Sequence, residues 1–144
     1  MVIADTGFWV ALINRRDDFH ERAKQKLAEL SRQKETLITT CAVMAETSHL
    51  LLSRVGQHAQ QAFIEQYRDG RFGVFDLNAQ QASRVAELMH KYADLPMDLA
   101  DASLVILAEH LRHGQILSTD ERDFRTYRWK NHEPFVNLLT RQQD

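Results

Sequence analysis

Six carboxylates in this chain fall where they could act together on a hard cation. Asp5 closes the short apolar run VIA, and Asp120 follows the apolar run QILST. Glu46 lies within CAVMAETSHLLLSR, where residues four before, three before and four after it are Ala42, Val43 and Leu50. Asp98 and Asp101 open the stretch DLADASLVILAE, and Asp123 comes three residues after Asp120. Like charges gathered in one cleft repel and raise one another's pKa unless a cation offsets them. Mg²⁺ and Mn²⁺ prefer oxygen ligands, so an all-carboxylate cluster suits them better than it suits zinc. One such ion can make a bound water nucleophilic. A second, about 3.5–4 Å away, can stabilise the leaving oxygen of an in-line displacement at a phosphodiester. A plainer reading exists for several of these acids. Asp5 or Thr6 could simply cap the next helix, Asp98 with Asp101 resembles a capping box, and Asp123 reads as a capping or surface residue. Glu46 could reach solvent from the edge of its stripe.

The elements that would bring these acids together follow from the apolar pattern. Residues 2–5 read as a buried strand, 36–39 (TLIT) as a second, 72–76 as a third, 115–119 as a fourth and 135–138 as a fifth. Helices are expected over 7–14, 18–33, 41–54, 56–69, 79–93 and 99–112. Asp17 or Asp18 is the expected cap of the second, and Ala82, Val85, Ala86 and Met89 the apolar side of the fifth. Gly114 is expected to end the sixth. Strands alternating with helices imply an α/β fold whose mostly parallel sheet is covered on both faces. In such sheets ligands bind beyond the carboxyl ends of the strands, which is where Asp5 and Asp120 stand.

With 144 residues, five Gly and two Pro, the chain fits one domain without a flexible linker. The single cysteine, Cys41, rules out an internal disulfide or a Cys-based zinc site within one chain and is compatible with a reducing compartment. The N-terminal stretch, broken by Asp5 and lacking a basic leader, reads as a poor signal peptide. No window approaches the roughly 20 apolar residues of a membrane span, so no membrane association is expected. The net charge of -2 means that any nucleic acid must be met by locally concentrated positive charge or through bound cations.

Taken in order, IADTGFWVAL, the helix with Glu46, PMDLADASLVILAE and ILSTDERDF resemble the PIN-domain family, in particular its VapC-type toxin branch. The resemblance spans nearly the whole chain. It implies a three-layer α/β/α fold with a central sheet of four to five strands, and a cytoplasmic Mg²⁺- or Mn²⁺-dependent endoribonuclease. Position by position it assigns Asp5, Glu46, Asp101 and Asp120 as catalytic metal ligands, with Asp98 and Asp123 as accessory ligands. Thr6 is the small hydroxyl residue expected to orient Asp5 or a metal-bound water, and Thr119 is expected to do the same for Asp120. Gly7 stands where many relatives carry Ser or another small residue. Toxins of this kind often form homodimers and are held inactive by a small antitoxin protein.

Arg15, Arg16 and His20 follow the first helix. The stretch ERDFRTYRWKNHE interleaves Arg122, Arg125, Arg128 and Lys130 with Phe124, Tyr127 and Trp129. Basic groups can hold RNA phosphates while rings stack unpaired bases, although the rings fit equally as core packing. Arg15, Arg16, Arg122 and Arg125 are the expected RNA contacts. Other readings are a non-catalytic PIN-fold module that binds RNA or protein, and a phosphotransfer fold. The latter would want paired acids or an Asp two residues after Asp5, where Gly7 stands.

Overall fold

The computed structural model describes residues 1–140. Its centre is five short parallel strands: β1 (Val2–Ala4), β2 (Leu37–Thr40), β3 (Gly73–Phe75), β4 (Gln115–Leu117) and β7 (Val136–Asn137), in the order β3-β2-β1-β4-β7. Ile3 of β1 is in register with Ile38 on one side and Ile116 on the other. All of β1 and β2 is buried, as befits central strands covered on both faces, whereas β3 at the edge is only half-buried. The helices are α1 (Thr6–Ile13), α2 (His20–Arg32), α3 (Cys41–Arg54), α4 (Gln57–Arg68), α5 (Ala82–Lys91), α6 (Leu99–Leu111) and α7 (Glu121–Thr126). Among the described residues no helix is long and apolar enough to cross a membrane. The strand order reverses between β1 and β4, and a crevice opens at such a point beyond the strand ends.

α6 is buried almost all round, with Ala100 and the run Ala102–Ala108 in the core, because it lies against β1, β2, α3 and α5 together. A polar seam fixes it. Thr40 Oγ1 caps α3 by accepting from Val43 N (3.1 Å) and also hydrogen-bonds Ser103 Oγ of α6 (2.7 Å). This seam ties the start of the helix that carries Glu46 to the helix that carries Asp101.

Several local expectations are corrected. α6 does not end at Gly114: Arg112 takes the left-handed cap, with φ of 65°. Gly114 serves close packing instead, since a Cβ there would meet Trp129 Nε1 at 2.6 Å. Neither Asp17 nor Asp18 caps α2. The Asp17 side chain accepts from Phe19 N (2.9 Å) in a turn just before the helix, whose cap is Phe19. The region 79–93 divides into a single 3₁₀ turn (Ala79–Gln81) and α5, and the inward face of α5 carries Val85, Leu88 and Met89 while Ala82 and Ala86 face solvent. A two-stranded antiparallel hairpin, β5 (Arg128–Trp129) and β6 (Glu133–Pro134), was not anticipated. Glu109 of α6 ties this region together, accepting a forked pair from Arg84 of α5 (3.0 and 2.8 Å) and a bond from Lys130 N.

Candidate active site

Five of the six acids sit at helix starts, and Glu46 lies within α3. Asp5 caps α1, with Oδ1 accepting from Thr6 N (2.7 Å). Asp98 caps α6 and accepts from Asp101 N (2.8 Å); Asp120 caps α7 and accepts from Asp123 N (3.1 Å). DLAD and DERD are thus the same device used twice: the first Asp caps, and the fourth residue, another Asp, stands in the first helical turn. Capping and a role in the cleft coexist, because a carboxylate oxygen that accepts one hydrogen bond keeps a second lone pair.

The electrostatics show that these helix starts face one another. Burial pushes the Asp5 carboxyl up to about 6; Ser118 Oγ and Thr6 N pull against that shift, and the charges of Glu46 and Asp120 add to it. Burial also lifts Asp101 to about 8, helped by Asp98 and Asp5 and opposed by a hydrogen bond from Tyr127. Asp123 is raised by burial and by its neighbour Asp120. Glu46 is raised by burial and by Asp98, with the Thr6 hydroxyl favouring its charged form. Four elements therefore aim negative charge into the crevice beside β1 and β4. The placement of Glu46 differs from the expectation of a core-facing position. Its side chain is largely exposed, next to the buried stripe of Val43, Met44, Thr47 and Leu51, and it meets the cleft from the solvent side.

Two supporting groups were missed in the sequence. Ser118, fully buried, donates from Oγ to Asp5 Oδ2 (2.9 Å) and accepts from Asp120 N (2.9 Å), so one hydroxyl fixes both acids at the strand ends. Thr119, expected to orient Asp120, lies instead against Gly7 and makes no side-chain hydrogen bond to Asp120 among the described residues. Tyr127, buried against Tyr92 and Phe124, donates its hydroxyl to Asp101 Oδ2 (3.0 Å). Thr6 Oγ1 is buried without a close hydrogen-bond partner among the described residues.

Gly7 explains itself here. A Cβ at this position would stand 1.9 Å from Thr119 Oγ1 and 3.1 Å from Thr119 Cβ. Gly7→Ala is expected to force Thr119 out of its rotamer and cost about 1–3 kcal/mol, read as a lowered Tm. In a Thr119→Ala background, which removes Oγ1 but keeps the Cβ at 3.1 Å, the loss should shrink to under about 1 kcal/mol. Equal losses in both backgrounds would show that the contact is not the cause.

Of the expected RNA contacts, Arg15, Arg16, Arg122 and Arg125 are all exposed. Arg125 is engaged by Glu121, one turn earlier on α7. Arg128 turns inward and donates to the carbonyls of Arg125 (2.7 Å) and Tyr127 (3.0 Å), closing that helix. Phe124 and Tyr127 are core residues, and Trp129 Nε1 donates to Pro134 O (3.2 Å), so the rings of this stretch pack in the fold. His20 hydrogen-bonds the Ala11 carbonyl through Nδ1 (2.7 Å) and helps pin α2 to α1.

The donor chemistry of the cleft, carboxylates with hydroxyls behind them, fits a hard divalent cation. Among the described residues no three acids or histidines are already close enough to hold a metal ion, so binding would have to draw the carboxylates together.

The profile of the PIN domain matches residues 2–130, nearly the whole chain. The chain belongs to the PIN domain family. Ribonuclease VapC26 of Mycobacterium tuberculosis is 27% identical over 127 residues, covering 88% of this chain and 92% of that protein. Among solved structures, VapC20 of Mycobacterium tuberculosis, a Sarcin-Ricin loop cleaving toxin, superposes with a TM-score of 0.75 at 24% identity, over 85% of this chain and 92% of that one. VapBC2 from Rickettsia felis, bound to a DNA fragment from their promoter, gives 0.67 at 18% identity, over 95% and 98%. These likenesses agree with the three-layer α/β PIN fold built above around a parallel sheet.

Proposed function

We propose that the chain is a divalent-metal-dependent endoribonuclease, the toxin of a type II toxin–antitoxin pair. What supports this reading is that acids from four separate elements act on one another's ionisation beside the point where the strand order reverses: Glu46 and Asp120 on Asp5, Asp5 and Asp98 on Asp101, and Asp98 on Glu46. The likeness to a VapC ribonuclease supports RNA as the substrate. The partner proposed with it is a small antitoxin, as in the VapBC pair that shares this fold; a homodimer as the assembly and the cytoplasm as the compartment are further parts of the same proposal.

In this reading Asp5, Glu46, Asp101 and Asp120 hold Mg²⁺ or Mn²⁺, with Asp98 and Asp123 as accessory ligands. When bound, the ion supplies a more acidic water and neutralises charge developing on the phosphate. The chain's own groups do the rest. Ser118 and Thr6 N orient both oxygens of Asp5. Tyr127 holds Oδ2 of Asp101 and leaves Oδ1 without a protein donor among the described residues. The buried Thr6 hydroxyl, short of a partner, can turn toward Glu46 or a water on it. Carboxylates raised by burial are the groups best placed to take a proton from an attacking water.

The test is cleavage of a structured and an unstructured RNA by the purified chain with Mn²⁺, with Mg²⁺ and with EDTA. Cuts that require metal are expected. A second reading, a non-catalytic module that binds RNA or protein, is favoured by the lack of three acids already at ligating distance among the described residues. No cleavage together with no Mn²⁺ binding at millimolar concentration would select it.

A further inference from the structure

We infer that a basic groove leading away from the acid cleft, with Arg54 and His58 at its far end, tracks the phosphates of a single RNA strand; this rests on the nuclease reading above. The groove is a recess of about 560 Å³ lined by Arg15, Arg16, Arg54 and His58, with Ala59 and Ala62 of α4 beneath, and no acidic side chain lines it. Arg15, Arg16 and Arg54 are exposed, and among the described residues their guanidinium groups make no ion pair. In a chain of net charge -2 this is an unusual local excess of free positive charge, and a polyanion is the ligand that such a surface selects.

The groove is connected to the chemistry. A second recess of about 430 Å³ shares Asn14 and Arg16 with it and reaches Thr119, the residue before Asp120. Asp17 and Asp18 also border this connecting stretch, so the cationic track proper starts at Arg16. Arg54 stands eight residues after Glu46 on α3, and the eight residues of α1 separate Asp5 from the loop of Arg15 and Arg16. At 1.5 Å per residue each offset is about 12 Å, a distance that a strand crosses in a few nucleotides. α1 and α3 pack against each other; α1 has Asp5 at its start and Arg15 and Arg16 just past its end, and α3 carries Glu46 within it and Arg54 as its last residue. No Phe, Tyr or Trp lines the groove, so apart from the His58 ring and the arginine planes, whose stacking is sequence-tolerant, it offers bases no platform. It therefore supplies affinity and salt dependence without choosing the cleavage sequence.

The experiment measures binding of a mixed-sequence single-stranded oligoribonucleotide to the full chain carrying Asp5→Asn, which prevents cleavage, over a range of salt. Adding Arg54→Ala or Arg16→Ala should weaken binding by about tenfold each. Each should also lower the slope of log affinity against log salt by about 0.7. In the chain with native Asp5, Arg54→Ala should leave Mn²⁺ affinity and the position of cuts as they were. If affinity and salt slope stay the same in both variants while the native chain cleaves RNA, the groove inference is overturned alone. An acidic protein segment then becomes its candidate occupant. If the native chain cleaves nothing yet both variants lose RNA binding, the groove stands and the nuclease reading falls.

Discussion

Asp5→Asn is expected to abolish metal-dependent RNA cleavage, with a loss of at least about 10³-fold, while the metal-free protein folds as well as the native chain. Lewis-acid stabilisation of a reacting phosphoryl group amounts to several kcal/mol, and each 1.4 kcal/mol is about tenfold in rate. Removing a carboxylate that no other donor can replace forfeits most of it. Asp5 is such a group: it is 7% exposed and held at both oxygens by Thr6 N and Ser118 Oγ, so no neighbour can swing into its place. Asn keeps an oxygen to accept one of these bonds, and it removes a buried charge whose pKa burial has already raised to about 6. The fold should therefore not suffer, and the rise in Tm that Mn²⁺ gives the native chain should vanish. Asp120→Asn should likewise lose activity and keep its fold, since an amide oxygen can still accept from Asp123 N. Full activity in both variants would remove these residues from the site.

Much of this arrangement is readable in the sequence because parallel strands obey a strict rule. A short apolar run that ends in Asp puts the carboxylate at the carboxyl edge of the sheet; β1 does so directly with Asp5, while the expected strand 115–119 ends at Leu117 and Asp120 follows it by three residues. Glu46 was harder. Helical spacing placed it against Ala42, Val43 and Leu50, but a few tens of degrees around the helix separate a core position from an exposed one, and Val43, Met44, Thr47 and Leu51 take the inward side. Thr119 draws attention because it adjoins Asp120. The chain bends at Thr119, however, and that turn brings the hydroxyl of Ser118 to the backbone of Asp120. A hydroxyl two residues before an Asp was the available signal, since such side chains readily bond the backbone N–H two residues on.

The remaining misses have tertiary causes. In the hairpin, Lys130 and Asn131 adopt φ of 49° and 65°, and Lys carries none of the turn signal of Asn-Gly or Asp-Gly. Its geometry is imposed from outside, by Glu109 on Lys130 N and by Trp129 closing over Gly114. Tyr127 reads equally as a core ring or a base-stacking ring. Only the fold shows that its ring joins the core while its hydroxyl ends on Asp101, which links the C-terminal segment to the acid cluster.

That cluster should make the stability of the protein fall with rising pH without metal and hardly respond to pH with it. The carboxyls of Asp5 and Asp101 are held at about 6 and about 8, against an ordinary value of 3.8 for both. A raised folded-state pKa means that the native chain holds more protons than the unfolded chain between these limits, so stability falls as pH rises. The effect is absent below the unfolded pKa and complete once pH has passed the higher folded value. In EDTA the native chain is therefore expected to melt at a higher temperature near pH 5 than near pH 8.5. Metal removes this dependence, because only deprotonated carboxylates are ligands and Mn²⁺ affinity must grow as these acids ionise, offsetting what the metal-free chain loses. In saturating Mn²⁺ the Tm should stay nearly level across the same window. Asp101→Asn isolates the cause: it should flatten the metal-free pH dependence, most of all between pH 6 and 8, where the Asp101 carboxyl alone still titrates of the two. A metal-free native chain that gains stability from about pH 5 to about pH 8.5 would mean that the acids do not share a strained cleft. The cation would then have no repulsion to relieve, and the argument for a metal at this site would lose its physical basis.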